Sequence, residues 1–493
     1  MKKISLSKSL YMDGLRCPRL LWLKINRPEL SEPPDPQTLY LFETGHRVEE
    51  YAWKAFPGGT LIGQGRTGPF AGLLVETEQE LRSGSPFVYE AAFATDRMHC
   101  RTDILHRMSE GRWDVAELKM STHQKPEHLD DLAFQVCCMR EAGHAVDRAH
   151  LLHINSGYIR SGEIQPTELF TAVDLTKEVN ERATNVASKV NSLIALVQEP
   201  VPSQATIGSR CKNPGTCPFY QYCHANIPEG SVYELPYGAG LIPLLLAKGI
   251  ARLADIPSSI PLSERQSALV RSAKLGQPVI KTGAIKKFLQ QLKYPVYFLD
   301  FETISSCIPP YDNSSPYERL AFQFSVHVQQ TKGGTPAHFE FLAESASDPR
   351  KRVCEKLIDL LGTSGSIVAW NAPYEKSVLT ILAKRFPEYA GRVASLLPRF
   401  VDLIIPFKSS AYSDYRFHGS ASIKKILPVL VPSLSYDNLA IGKGDEASLL
   451  FQRYVDGRMS DAQWAAIKEN LREYCSMDTH ACVQILDVLH RLS

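Results

Sequence analysis

The apolar pattern divides the 493-residue chain into two unlike halves. In the first, residues 38–55 carry helical spacing, 87–94, 113–118 and 149–154 read as strands, and 176–198 repeat with the period of one long helix. A cysteine-rich loop closes this half near residue 230. Between 231 and 292, Pro and Gly cut the pattern into short helical pieces. Within it, residues 245–257 (LLAKGIARLADIP) place a Gly-Ile turn between two short helices, the arrangement of a helix-hairpin-helix. From Tyr294 the pattern changes to strands at 296–301, 321–329 and 338–342. A helix over 348–361, a buried strand at 366–370 and a helix from Tyr374 follow. The expectation is an α/β chain in three parts: 1–230, a small helical linker domain at 231–292, and 293–493.

Composition narrows the class. With 44% hydrophobic and 22% charged residues the chain is an ordinary globular protein, which excludes disordered and collagen-like classes. Its most apolar stretch, residues 239–247 (AGLIPLLLA), is shorter than a bilayer span, so no membrane partner is expected. The start, MKKISLSKSL, meets Asp13, Arg16 and Arg19 before any apolar stretch of signal length, so a cytoplasmic location is expected. A net charge of +2 means that nucleic acid would have to be met by a local basic groove. Eleven cysteines, odd in number and unevenly spread, argue for metal or cluster ligation by a subset.

Two constellations carry chemistry. Asp103 stands at the end of a strand-like region, and DVAELK follows on the next strand, where Glu117 and Lys119 leave the same face. Asp103 and Glu117 can hold a hard divalent cation, Lys119 can orient or activate water beside a phosphate, and His46 on a helix can add an imidazole ligand. Taken alone, the same pattern also describes a solvated strand face. In the second half, Asp300 and Glu302 in LDFET are two apart at a strand end, a repulsive pair unless a cation neutralises it. NAPYE brings Glu375 to the start of a helix, and VDL brings Asp402. Tyr474 and Asp478 are four apart on a helix and share a face. In FHGSASIKKIL a Gly-Ser cap precedes an amphipathic run whose Lys424 and Lys425 could meet phosphate, although paired lysines are commonly just solvated.

Residues 9–225 resemble the RecB-like branch of the PD-(D/E)XK nucleases, in which a helical His (here His46) precedes an Asp (Asp103), an ExK (Glu117, Lys119) and a helical Gln (Gln135). Met139 departs from the Tyr often found four residues after that Gln. In the members that carry an iron–sulfur cluster, one cysteine precedes the nuclease core and three follow it. Cys17 and the C-x5-C-x5-C run of Cys211, Cys217 and Cys223 resemble that set, which implies a 4Fe-4S cluster stapling segments far apart in the chain. A zinc site is the competing reading, although zinc sites usually use C-x2-C knuckles; unligated cysteines are the third. Residues 294–492 resemble the Tyr-containing DEDD exonucleases of the RNase H-like superfamily. The resemblance implies that Asp300, Glu302 and Asp478 hold two Mg²⁺ or Mn²⁺ ions while Tyr474 orients water, with Glu375 where the superfamily has Asp.

Together the parts resemble a bacterial family of fused nucleases: a restriction-endonuclease-like domain, a helical linker and an RNase H-like domain. The implied function is metal-dependent hydrolysis of DNA, as an exonuclease on single-stranded or end-bearing DNA, in repair or in defence against foreign DNA. A helicase or defence-complex partner would fit that role. The alternatives are an RNA exonuclease driven by the C-terminal domain, or a nucleic-acid-binding subunit with one silent site.

Overall fold

The computed structural model describes residues 4–63, 69–109, 111–202 and 207–493 and shows a mixed α/β protein. It forms two compact units, residues 1–225 with 307–317, and residues 226–306 with 318–493. Residues 231–292, expected as a linker domain, therefore belong to the second unit. Residues 307–317, expected in the C-terminal domain, belong to the first, where Cys307 and Ile308 join the apolar cluster of Val48, Tyr89 and Leu152.

The strands of the first unit are β1 (Leu6–Ser7), β2 (Thr60–Leu61), β3 (Phe87–Ala94), β4 (Met98–Ser109), β5 (Arg112–Lys119), β6 (Ala145–Ile154) and β7 (Phe170–Asp174). They make one sheet in the order β2-β3-β4-β5-β6-β7, with β1 added alongside β4. Strands β3, β4 and β5 are antiparallel, whereas β5 and β6 are parallel, joined by the helix Pro126–Glu141. That crossover explains the helix's apolar character. Leu132, Ala133, Phe134 and Val136 are all buried in the main core with Phe93 and Trp113 of the sheet.

In the second unit β8 (Val279–Ile280) pairs with β14 (Tyr412–Ser413). The main sheet contains β9 (Val296–Ile304), β10 (Leu320–Gln329), β11 (Ala337–Leu342), β12 (Ser366–Ala369) and β13 (Phe400–Asp402), in the order β11-β10-β9-β12-β13. Its first three strands in that order are antiparallel, and β9, β12 and β13 are parallel. Every residue of β10 is buried, including the polar Gln323, Ser325, His327 and Gln329 that alternate with its apolar positions. A 31-residue helix, Asp461–Arg491, packs on β9 and β10; it starts with a capping box of Ser460 and Gln463.

Some elements depart from the sequence pattern. The expected single helix over 176–198 is two, Thr176–Ala183 and Val186–Gln198. Of the expected helix-hairpin-helix, only Ile242–Ala247 is an α-helix, and the second piece is a 3-10 turn at Leu253–Asp255. Asp103 lies within the 12-residue β4, not at a strand end.

Candidate functional sites in the two units

The first site is built around Glu117 on β5. Its carboxylate is 1% exposed, and both oxygens are engaged: Oε1 accepts from Lys119 Nζ at 2.6 Å and Lys8 Nζ at 2.8 Å, Oε2 from Gln135 Nε2 at 2.7 Å. Asp131, one helical turn before Gln135, accepts from Lys119 Nζ at 2.5 Å and from Gln135 Nε2 at 3.0 Å. Asp103, on the adjacent strand, accepts from the backbone N–H of Leu118 at 2.6 Å. Burial pushes the Asp103 carboxyl well above its usual range, and repulsion from Glu117 adds to the shift. Burial acts on Glu117 in the same direction, but Lys119 and Lys8 outweigh it and hold this carboxyl low.

Asp103, Glu117, Lys119 and Gln135 therefore converge as the sequence suggested. Lys8 and Asp131 complete the set without having been anticipated. His46 stands apart: its side chain is 57% exposed on the helix Pro36–Ala55, with Nδ1 3.5 Å from Glu49. Among the described residues it forms no group with Asp103 and Glu117 close enough to share one ion. Met139 is fully buried in the core.

Cys17, Cys211, Cys217 and Cys223 all line one pocket, together with Arg16, Arg19 and Arg210. The two ends of the unit are fastened beside it. Arg16 donates to the carbonyls of Arg210 (2.9 Å) and Gly215 (2.5 Å), Trp22 Nε1 donates to the Glu199 carbonyl (2.9 Å), and Phe219 is buried against Leu20, Trp22 and Leu23. Burial raises the Cys217 and Cys223 thiols. Among the described residues no three of these sulfurs lie within 4.8 Å of one another.

The second site lies where the parallel pairing of β9 with β12 runs out. That pairing ends at Phe298, so Asp300 and Glu302 project past it toward the carboxyl ends of the strands, a position where α/β sheets place their ligands. Asp478, from the helix Asp461–Arg491, joins them, and one oxygen of each carboxylate lies within 4.8 Å of the others. Burial raises all three carboxyls; Asp478 and Glu302 add repulsion at Asp300, and Asp478 does so at Glu302. Lys424 offsets part of that repulsion at Glu302 and Asp478, and hard oxygen donors this close suit a divalent cation.

The surroundings of these acids are polar and closely fitted. Tyr474, one turn before Asp478, accepts from Lys424 Nζ at 2.9 Å; Tyr436 donates to Asp478 Oδ1 at 2.6 Å. Lys424 lies over both phenol rings, with its ammonium 4.8 Å from the Tyr474 centroid and 5.3 Å from that of Tyr436, and donates to the Gly442 carbonyl at 2.8 Å. Gly444 brings the backbone over the acids: a Cβ there would lie in ordinary contact distance of the Tyr474 hydroxyl, 3.4 Å, and of Glu302, 3.6 Å. Asn371 adopts a left-handed φ of 72°, and its N–H donates to Asp402 at 3.0 Å; this turn starts the helix Pro373–Arg385. Glu375 on its first turn is 2% exposed and contributes repulsion at Asp300 and Glu302.

Sequence reasoning identified Asp300, Glu302, Glu375, Tyr474 and Asp478, and the structure brings them to one end of the sheet. It missed Tyr436, which sits in a loop and has no periodic signal.

Comparison with known proteins adds relatives without a described activity. Residues 297–422 match the family described as Domain of unknown function (DUF2779), a span that includes Asp300, Glu302 and Glu375 but stops short of Lys424, Tyr474 and Asp478. The chain is similar to an uncharacterised MG366 homologue of Mycoplasma pneumoniae, with 28% identity over 230 residues, or 41% of this chain and 33% of that protein. Similarity also extends to uncharacterised protein MG366 of Mycoplasma genitalium (27% over 220 residues; 41% and 33%) and UU173 of Ureaplasma parvum (25% over 235 residues; 43% and 33%). The chain thus spans about a third of the length of the curated relatives it matches.

Proposed function

We propose that this chain is a metal-dependent nuclease that hydrolyses phosphodiester bonds of nucleic acid, with DNA as the substrate and one site in each unit. The observation that carries this reading is the convergence of Asp300, Glu302 and Asp478 within 4.8 Å, with Tyr474 one helical turn from Asp478. The strand order β11-β10-β9-β12-β13, antiparallel then parallel, supports an RNase H-like assignment for the second unit. In the first unit, a helix (Phe70–Ser83), three antiparallel strands, a crossover helix and a parallel strand support a restriction-endonuclease-like core.

Bound Mg²⁺ or Mn²⁺ would supply charge neutralisation for the attacking and leaving oxygens of an in-line displacement. Asp300, Glu302 and Asp478 would hold it, and Glu375 stands beside them as a fourth carboxylate. The Tyr474 hydroxyl, which accepts from Lys424, would orient water. The Lys424 ammonium brings positive charge to a phosphate that approaches the acids. In the first unit Asp103 and Glu117 would hold the ion, with Lys119 directed at the same space. Cys17, Cys211, Cys217 and Cys223 would hold a 4Fe-4S cluster whose contribution is structural, joining the helix Pro18–Asn26 to the loop after the helix Val186–Gln198.

The test is degradation of labelled DNA and RNA by anaerobically purified protein with Mn²⁺, comparing wild type with Lys119→Ala and Asp300→Ala. Asp300→Ala in a Lys119→Ala background should lower the remaining hydrolysis by about two to three orders of magnitude. Faster loss of RNA than DNA would move the substrate to RNA. If neither substitution alters activity on either polymer, the nuclease reading fails.

A further inference from the structure

Lys8 belongs to no motif, yet its ammonium occupies the centre of the first site. Its place is built by several independent features. Leu6 and Ser7 pair in parallel with Met98 and His99 of β4, and the Ser7 hydroxyl caps the helix Lys8–Arg16 by accepting from Leu10 N–H at 3.1 Å. Tyr11, on the same face one turn later, is fully buried with its ring 4.8 Å from that of Phe134, on the helix that carries Asp131 and Gln135. Lys8 is thereby held with its side chain 22% exposed and Nζ 2.8 Å from Glu117 Oε1 and 3.5 Å from Asp131 Oδ1.

The same Glu117 oxygen also takes the Lys119 ammonium at 2.6 Å, while the other takes Gln135. A cation arriving between Asp103 and Glu117 therefore meets a carboxylate already shared by two positive charges. The second site is different: among the described residues no ammonium bonds to Asp300, Glu302 or Asp478, since Lys424 bonds to the Tyr474 hydroxyl and the Gly442 carbonyl, and the hydrogen bonds to these acids come from the neutral Tyr436 hydroxyl and Cys475 thiol. We propose that Lys8 is the resident counter-ion of the first site, displaced from Glu117 when a divalent cation binds, so that Lys8 makes this site the weaker of the two for metal. The inference rests on the reading of Asp103 and Glu117 as metal ligands.

Mn²⁺ binding, followed by the electron paramagnetic resonance of the free ion, tests it on the full chain with Asp300→Asn as background to weaken the second site. Lys8→Met should tighten the remaining site about tenfold, as expected for removing one screened unit charge at this range, and Lys8→Gln should act likewise. Lys8→Arg, which keeps the charge, should bind as the background does. An Asp103→Asn/Glu117→Gln variant in the same background should lose that binding. If it loses none, the metal reading of the first site falls. If it loses the site while Lys8→Met and Lys8→Gln leave the affinity unchanged or weaker, the role given to Lys8 alone falls.

Discussion

Glu375 shows how much one buried atom can determine. Among the described residues its buried Oε2 finds no hydrogen-bond partner, and burial, with repulsion from Asp402, pushes the carboxyl from 4.5 up to about 8. Between those values the folded chain keeps a proton that the unfolded chain has released, so this group makes stability fall as pH rises through that window. Glu375→Gln, without added metal, should therefore gain on wild type from pH 5 to pH 8 by on the order of a few kcal/mol, read from urea midpoints. A constant difference across that range would show that the charge is not the cause. The residues of this site were legible because each signal was local: Asp300 and Glu302 are two apart on a strand, Tyr474 and Asp478 four apart on a helix. Lys8 had no such signal, since its position depends on a strand pairing with β4, 92 residues along the chain. Asp131 had a usable one, four residues before Gln135 on the same helix face, whereas nothing local fixes the rotation that turns His46 toward Glu49.

At the level of elements, strands were read well where both faces are buried. Residues 87–94 coincide with β3, whose apolar run is broken only at Glu90, and 321–329 fall within β10, where Gln323, Ser325, His327 and Gln329 alternate with apolar residues at the period of a strand. The 12-residue β4 was only glimpsed, since its polar inward positions, Arg101 and Asp103 among them, serve the site and a salt bridge to Glu90 instead of a core. Where β10 and β11 meet the helix Asp461–Arg491, His327 stacks on His338 with centroids 4.5 Å apart and bonds through Nδ1 to Thr479 Oγ1 at 2.8 Å. Burial, with the neighbouring imidazoles, lowers His327 from 6.5 to about 3. The unfolded chain takes up this proton first on acidification, so the junction contributes its full stability above about pH 6.5 and loses it as pH falls toward 3. Replacing His327 by Gln should flatten the loss between pH 7 and pH 5 by roughly 2 kcal/mol, with urea midpoints again the measurement. Equal acid sensitivity in variant and wild type would place the effect elsewhere.

Across the whole molecule a net charge of +2 conceals local imbalance: two ammonium groups crowd the acids of the first site, while the second keeps three carboxylates together. The four cysteines belong to the same scale, since no short segment contains them. Cys17 lies about 200 residues from the loop of Cys211, Cys217 and Cys223, and the pocket they line joins the helix Pro18–Asn26 to the end of the first unit. Apart from that pocket the joint rests on the small core of Leu20, Trp22, Leu23 and Phe219 and on hydrogen bonds from Arg16, Trp22 and Asn26. A group bound by all four thiolates would add its binding free energy to this joint, because the unfolded chain has no such site. The sheet core around Phe93, Trp113 and Phe134 does not depend on it. Cys217→Ser should therefore raise amide hydrogen exchange at residues 17–30 and 207–224 by about two orders of magnitude or more, while the amides of β3, β5 and β6 keep their protection. The purified variant should also lose the brown absorption of an iron–sulfur protein. Uniform loss of protection through β3, β5 and β6 would make the cysteines part of the core's own stability; unchanged exchange at both ends would mean that the thiolates clamp nothing.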